Sequence, residues 1–157
     1  MSLKIYTASA GSGKTHALTR EFLRLMLSNG DPRYFTTIQA VTFTKKATAE
    51  MKGRIVAELS TLARTPEESL FTRDLCQELG ISEAKLRERA NATLHALLLE
   101  YTSFRVRTID SFFQEVVRSF TYELGHAGAL RVQLDSDQLL HQAVLEVLAR
   151  QDQEKSD

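Results

Sequence analysis

The feature that most constrains this chain is the run Ala8-Ser9-Ala10-Gly11-Ser12-Gly13-Lys14-Thr15. A short apolar stretch at residues 3–7, typical of a strand, precedes it, and a helical pattern follows it. This order is the context of a phosphate-binding loop, because small residues let consecutive backbone N–H groups close around an anion. The helix that starts at the loop adds the positive end of its dipole. The alternative is a Gly/Ser turn that ends in Lys-Thr, which the flanking strand and helix disfavour.

Two residues of this run have chemistry of their own. Lys14 would reach the β- and γ-phosphates as a mobile point charge, and the Thr15 hydroxyl would take one position on Mg²⁺. We therefore predict catalytic roles for Lys14 and Thr15, with Thr15 also as a metal ligand. The run begins with Ala8 instead of the glycine of the strict pattern, so the prediction rests on the later residues. The predicted phosphate-binding set is Ala8, Ser9, Ala10, Gly11, Ser12, Gly13, Lys14, Thr15 and His16.

The composition excludes several classes of protein. Lys plus Arg and Asp plus Glu both number 20, so the net charge is zero and any nucleic-acid contact must come from a local patch. The single cysteine, Cys76, excludes a disulfide framework, and we interpret it as a small core or boundary residue. No segment has the length of an apolar membrane span and the first residues are unlike a signal peptide, so we expect a cytoplasmic protein. No metal-ligand spacing is shared by the four histidines, His16, His95, His126 and His141.

Hydrophobic periodicity predicts alternating helices and strands. The predicted strands, besides residues 3–7, are 36–44, 104–109 and a weaker extended stretch at 130–134. The predicted helices cover residues 16–28, 45–63, 66–80, 82–100, 110–125 and 136–150. Thr65-Pro66-Glu67-Glu68 forms a capping box at one helix start, and we expect Asp110 to be the N-cap of another. The alternation predicts an α/β domain with a parallel sheet and a helical insertion at 66–100.

A phosphate-loop domain also needs a carboxylate at the end of an apolar strand to organise Mg²⁺. No run of four apolar residues followed by Asp occurs in this chain. Asp110 comes after a strand that contains Arg and Thr, and Asp135 ends an alternating, half-exposed stretch, so both are poor candidates. We therefore expect the chain to be an incomplete nucleotide-binding domain.

Three blocks in one order resemble a known family. They are ASAGSGKT at 8–15, AVTFTKKATAEMKGRI at 40–55 and TIDSFFQEVVRSF at 108–120. The blocks resemble motifs I, Ia and Ib of superfamily 1 DNA helicases of the UvrD/Rep type. More narrowly, they resemble the N-terminus of the RecB/AddA motor subunits of helicase–nuclease complexes, a group that includes the beta chain of exonuclease V. The helical insertion between the second and third blocks is also similar to that branch.

The resemblance implies a P-loop NTPase fold, with the RecA-like parallel sheet of a motor domain at 1–134 and the truncated start of a helical subdomain at 135–157. It implies ATP and Mg²⁺ as cofactors and 3′-to-5′ translocation along single-stranded DNA with duplex unwinding. It also implies a partner nuclease or helicase subunit in the full complex, which acts in double-strand break repair and recombination. The chain by itself is expected to bind nucleotide weakly without turnover. The residues that the resemblance assigns to DNA are Thr42, Phe43, Thr44, Lys45, Thr108, Asp110 and Ser111.

The residues of the second block are compatible with this assignment. Hydroxyls, exposed N–H groups and lysines at a strand-to-helix junction suit a phosphate chain. Phe43 could stack on a base or be a core residue of the strand, and the sequence leaves both open. The alternative for Lys45 and Lys46 is a solvated helix end, which the sequence favours less than a phosphate contact. Arg105 and Arg107 could extend a basic strip, although an alternating strand slightly favours a solvated face for them.

Two other functional classes remain open. One is a small phosphate-loop kinase acting on a nucleotide or metabolite, which the chain length fits. Against it, the second strand ends in Thr-Phe-Thr, with no acidic residue for an acceptor hydroxyl, and no arginine-rich lid is evident. The other is a non-catalytic nucleotide-binding module that has lost its magnesium carboxylate.

Overall fold

The computed structural model describes residues 13–123, together with Leu140 and Val144. Its chain divides into two units, Met1–Phe112 and Phe113–Asp157. The predicted strand at 3–7, the extended stretch at 130–134 and the domain boundary at 134/135 lie outside the described residues. Leu140 and Val144 are helical, and the rest of the predicted helix at 136–150 lies outside as well.

Helices dominate the described part of the chain. The elements in chain order are α1 (Lys14–Met26), β1 (Gln39–Thr42), α2 (Lys45–Arg64), α3 (Thr72–Leu79), α4 (Glu83–Leu99), β2 (Arg105–Thr108) and α5 (Ile109–Glu123). Short 3-10 turns occupy Tyr34–Thr37, Pro66–Glu68 and Tyr101–Ser103. Within the described residues the helices and strands alternate, and α3 and α4 lie between α2 and β2.

β1 and β2 form a parallel two-stranded sheet within the described residues. Their register pairs Gln39 with Arg105 and Thr42 with Thr108, so the carboxyl ends of both strands lie at one edge. The predicted strand at 36–44 is too long at both ends. Its first part is the 3-10 turn Tyr34–Thr37, in which the Thr37 hydroxyl donates to the carbonyl of Tyr34 at 2.8 Å. A local hydroxyl bond there competes successfully with strand pairing.

The core of the first unit lies between the helices and the sheet. The α2 residues Met51, Ile55, Leu59 and Leu62 recur at helical spacing and are buried, as predicted. They share one cluster with buried side chains of the other elements: Phe22, Leu23, Met26, Phe35, Phe71, Leu75, Leu86, Leu97, Phe104 and Val106. Since the insertion helices contribute to this cluster, they belong to the core of the first unit.

The predicted single helix at 66–80 is wrong in one respect, because it breaks at Ser69. The predicted capping box is also wrong, because the Thr65 hydroxyl donates to the Glu68 carboxylate at 3.1 Å and caps no backbone N–H, and the segment Pro66–Glu68 is only a 3-10 turn. Ser69 is extended, and its hydroxyl donates to Glu58 and accepts from the N–H of Phe71. These bonds turn the chain before α3 starts, and Gly80 ends α3 in the left-handed region, as the sequence indicates.

The second unit is described by its helical segment from Phe113 to Glu123. Phe113, Val117 and Phe120 of the predicted apolar stripe are exposed there, as are Leu140 and Val144. Gly125, the predicted end of the helix, lies outside the described residues. In the part of the chain that the structure covers, no helix has the length and apolar character needed to cross a membrane.

Candidate functional site

The start of α1 is built differently from an ordinary helix start. Gly13 precedes the helix with φ +80°, in the left-handed region, and no side chain caps the first turn. The first turn contains no acidic residue, and residues 13–16 are exposed. Backbone donors at the positive end of a helix suit phosphate oxygens, and the adjacent Thr15 hydroxyl suits a magnesium ion. The described part of the predicted loop therefore fits a nucleotide phosphate with Mg²⁺, and Ala8, Ser9, Ala10, Gly11 and Ser12 lie outside the described residues.

Two contacts fix the first turns of α1. The Thr19 hydroxyl donates to the carbonyl of Thr15 at 2.8 Å, within the helix. The His16 ring lies against Phe71, just before α3, with 4.5 Å between the ring centroids. The side chain of His16 therefore connects the predicted phosphate site to the insertion, and its predicted nucleotide contact stays a prediction.

The carboxyl edge of the sheet brings the second and third sequence blocks together. Thr42 ends β1 and Thr108 ends β2, and the two are register partners. A helix begins at Lys45, three residues after β1, and another begins at Ile109, directly after β2. Two helix N-termini with their positive dipole ends therefore lie at one edge, which we call the carboxyl edge.

Hydroxyl bonds organise the β1 side of the carboxyl edge. Thr44 is the N-cap of α2, and its hydroxyl accepts from the N–H of Ala47 at 3.0 Å. The Thr42 and Thr48 hydroxyls lie 2.6 Å apart, and Thr48 also donates to the carbonyl of Thr44. Phe43 lies between these threonines and is 84% exposed, so the core interpretation of Phe43 is wrong.

The β2 side of the carboxyl edge uses a different cap from the predicted one. The Thr108 hydroxyl accepts from the N–H of Ser111 at 3.3 Å, and the two hydroxyls lie 2.8 Å apart. Thr108 therefore caps α5, and the prediction that Asp110 does so is wrong, since α5 already begins at Ile109. Asp110 is an exposed acid in the first turn of α5, where it complements the helix dipole.

One cation near this edge was missed by the sequence reasoning. Lys52 of α2 places its ammonium 5.2 Å from the ring centroid of Tyr101 and 5.4 Å from that of Phe104. Partial burial lowers the pKa of Lys52 from its ordinary value, and the charge of Arg107 lowers it further. The seven-residue spacing from Lys45, which puts both lysines on one helix face, was the available signal.

The Cys76 thiol does not take part in either site. It is half-buried in α3, as the core or boundary interpretation predicts. Burial raises the pKa of the Cys76 thiol, and Glu83 raises it further, so the reactive thiolate is disfavoured.

A parallel pair of strands that lead into helix N-termini, together with a Gly-Lys-Thr helix start, defines a P-loop type of α/β domain. The comparison with protein families gives the narrower assignment. The model of the UvrD/REP helicase N-terminal domain matches residues 3–157, and the chain belongs to this family.

Curated relatives agree with the family assignment. An ATP-dependent helicase/nuclease subunit of Lactobacillus johnsonii is 31% identical over 98% of this chain. The RecB subunits of the RecBCD enzymes of Haemophilus influenzae and Escherichia coli are each 31% identical, over 88% and 89% of this chain. The chain spans 11% or 12% of the length of these relatives. No solved structure matches the chain.

Proposed function

We propose that this chain is the N-terminal, ATP-binding part of an ATP-dependent DNA helicase of the RecB/AddA type, with a RecA-like motor fold. One observation carries the proposal: the register of β1 and β2 puts Thr42 and Thr108 side by side. The two blocks that resemble the DNA-contacting motifs of this family therefore share one exposed edge.

The proposed DNA contact uses four kinds of group at the carboxyl edge. Lys45 offers a side-chain charge at the start of α2, and the hydroxyls of Thr42, Thr44, Thr108 and Ser111 offer hydrogen bonds to phosphate oxygens. Phe43 presents an exposed ring on which a base stacks, which is a common feature of single-strand binding. Asp110 carries a negative charge, so its role there is to bind a base or sugar donor rather than a phosphate.

The nucleotide contact uses the start of α1. Residues 8–16 bind the phosphates of ATP, the Lys14 ammonium neutralises the β- and γ-phosphates, and the Thr15 hydroxyl ligates Mg²⁺. ATP supplies the free energy for translocation in the 3′-to-5′ direction. Since no run of four apolar residues followed by Asp occurs in the sequence, we expect weak binding without turnover from this chain alone.

The names of the relatives extend the proposal to the whole protein. They describe subunits of ATP-dependent helicase/nuclease and RecBCD enzymes. By analogy, this protein would join a nuclease or helicase partner in a complex that acts on DNA breaks in repair and recombination, in the cytoplasm.

Single-strand binding tests the carboxyl edge directly. We expect Phe43→Ala to weaken binding of labelled oligothymidine by about 10-fold, because stacking of one base contributes about 1–3 kcal/mol. Fluorescence anisotropy measures the affinity. Leu70→Ala is the matched control, because Leu70 is 82% exposed on the insertion and lies far along the chain from the edge. Equal losses for the two variants would contradict a DNA-binding role for Phe43.

Turnover of ATP separates this proposal from its alternatives. We expect no hydrolysis by the chain with Mg²⁺, either with or without single-stranded DNA. Hydrolysis stimulated by DNA would mean that a magnesium carboxylate exists within these residues. Hydrolysis or phosphate transfer at a rate that does not depend on DNA would favour a phosphate-loop kinase.

A further inference from the structure

A group of cations and one aromatic ring lies along β2, beyond the carboxyl edge. Arg105 and Arg107 alternate with the buried Val106, so both arginines project from the same face of β2. Lys52 approaches from α2 over the ring of Tyr101, which is 46% exposed. We call this group the Lys52 patch, and it consists of Lys52, Tyr101, Arg105 and Arg107.

Positive charge is concentrated in the Lys52 patch. Among the described residues, no carboxylate forms an ion pair with Lys52 or Arg105, and the nearby Glu100 pairs with Arg33 at 2.7 Å. The Lys52 ammonium lies 5.4 Å from the ring centroid of Phe104, the residue directly before β2, and the charge of Arg107 adds to the burial that lowers the pKa of Lys52. Like charges held close together are stabilised when an anion binds between them.

The Lys52 patch continues the carboxyl edge instead of forming a separate site. Lys52 lies seven residues after Lys45, two helical turns along the same face of α2, or about 10 Å. Arg105 lies three residues before Thr108 on β2, also about 10 Å away. A strand bound at the edge reaches this distance with about three further phosphates, at about 3.4 Å each in a stacked strand.

We propose that the Lys52 patch holds the phosphates of the same single strand as it leaves the carboxyl edge. Lys52 and the two arginines bind phosphate oxygens, and the exposed part of the Tyr101 ring supports a base or sugar. This inference rests on the proposed function, since it extends the DNA path that begins at Phe43 and Lys45. It assigns DNA contacts to residues of α2 and β2 that are not among the DNA-binding residues predicted from the three sequence blocks.

Oligonucleotide length tests the proposal in the 157-residue chain. The Lys52→Gln/Arg105→Gln variant is expected to bind a long oligothymidine of about 15 nucleotides about 10-fold more weakly than the unchanged chain. Its affinity for a short one of about 5 nucleotides stays within about twofold. The slope of log affinity against log salt for the long strand falls by about 1.4, or about 0.7 for each cation removed.

Matched variants separate a contact from a loss of structure. Lys85→Gln/Arg73→Gln removes the same charge from exposed positions of the insertion and should leave long-strand binding unchanged. Tyr101→Phe keeps the ring under Lys52 and should bind like the unchanged chain, whereas Tyr101→Ala should weaken long-strand binding. Thermal unfolding of each variant verifies the fold.

The outcomes distinguish this inference from the proposed function. Suppose that Phe43→Ala weakens binding of both the long and the short oligothymidine, while the Lys52→Gln/Arg105→Gln variant binds them like the unchanged chain. The Lys52 patch is then overturned and the carboxyl edge stands. If the patch variant loses binding of the long oligothymidine and Phe43→Ala loses nothing, base stacking on Phe43 is overturned and the Lys52 patch stands. If the unchanged chain binds neither strand, both proposals are overturned.

Discussion

The helices α1 and α2 begin in opposite ways. α1 starts after Gly13 in the left-handed region, with no side-chain cap and no acid in its first turn. α2 starts after Thr44 in the extended region, and the Thr44 hydroxyl accepts a hydrogen bond from the N–H of Ala47. The backbone donors of an uncapped, exposed helix start are open to water or to an anion, whereas a cap satisfies one of them within the chain. The uncapped start of α1 therefore leaves more of its backbone donors available to an anion than the capped start of α2 does.

A third helix start gives the reference for this comparison. α4 begins after Ser82, whose hydroxyl accepts from the N–H of Lys85 at 3.3 Å, and Glu83 lies in its first turn. One backbone donor of its first turn is therefore satisfied within the chain, and the Glu83 carboxylate complements its dipole. α4 has the features of a structural helix, which makes its residues suitable controls for α1 and α2.

The largest expected effect is at α1. Lys14→Ala should weaken binding of a labelled ATP analogue by about 100-fold, because two charge-assisted contacts of about 1.5 kcal/mol each are lost. Lys85→Ala in the first turn of α4 should change the affinity by less than about twofold, since surface contributions of that kind are small. Fluorescence titration measures both. Similar affinities for the two variants would remove the distinction between an anion-binding and a structural helix start.

The second-largest expected effect is on stability and concerns the C-terminal end of α1. Arg89 of α4 donates to the carbonyls of Leu27 and Ser28 at 2.8 and 3.1 Å, just after the last turn of α1. Arg89→Met should lower the free energy of unfolding by about 1.5–3 kcal/mol, because charged hydrogen bonds to these carbonyls are lost. Urea unfolding measures this change. Arg87→Met, which removes a longer bond to Ala63 from an exposed side chain, should cost less.

Nucleotide affinity provides a second test of the Arg89→Met variant. The two ends of the 13-residue α1 lie about 20 Å apart, so Arg89→Met should leave ATP-analogue binding nearly unchanged. A large loss of nucleotide binding in a folded Arg89→Met protein would show that the insertion controls the start of α1 as well as its end.

The smallest effect compares the two capped helices. Thr44→Ala and Ser82→Ala should each lower the free energy of unfolding by about 1 kcal/mol, the usual contribution of a helix cap. Only Thr44→Ala should also weaken single-strand binding, because Thr44 lies at the carboxyl edge. Urea unfolding and fluorescence anisotropy give the two readouts. If Ser82→Ala also weakened binding of single-stranded DNA, the effect of Thr44→Ala on DNA binding would come from lost stability alone.

Local sequence signals were sufficient where a few neighbouring residues decide the structure. The spacing of Met51, Ile55 and Leu59 predicted the buried face of α2, and Gly80 predicted the end of α3. These signals failed at Ser69, where a continuing helix competes with a turn. Ser69 breaks the predicted helix because its hydroxyl finds Glu58 on α2, a partner that the local pattern around Ser69 does not reveal.

The sequence by itself determined the class of this protein. The Gly-Lys-Thr helix start, the alternation of strands and helices and the three ordered blocks depend on adjacent residues, and the family comparison agrees with them. Only the tertiary structure decided that Thr42 and Thr108 meet, that Phe43 is exposed and that Lys52 lies over Tyr101. Pairing of distant strands depends on register and on packing of the helices between them, and these long-range terms are not contained in any single segment.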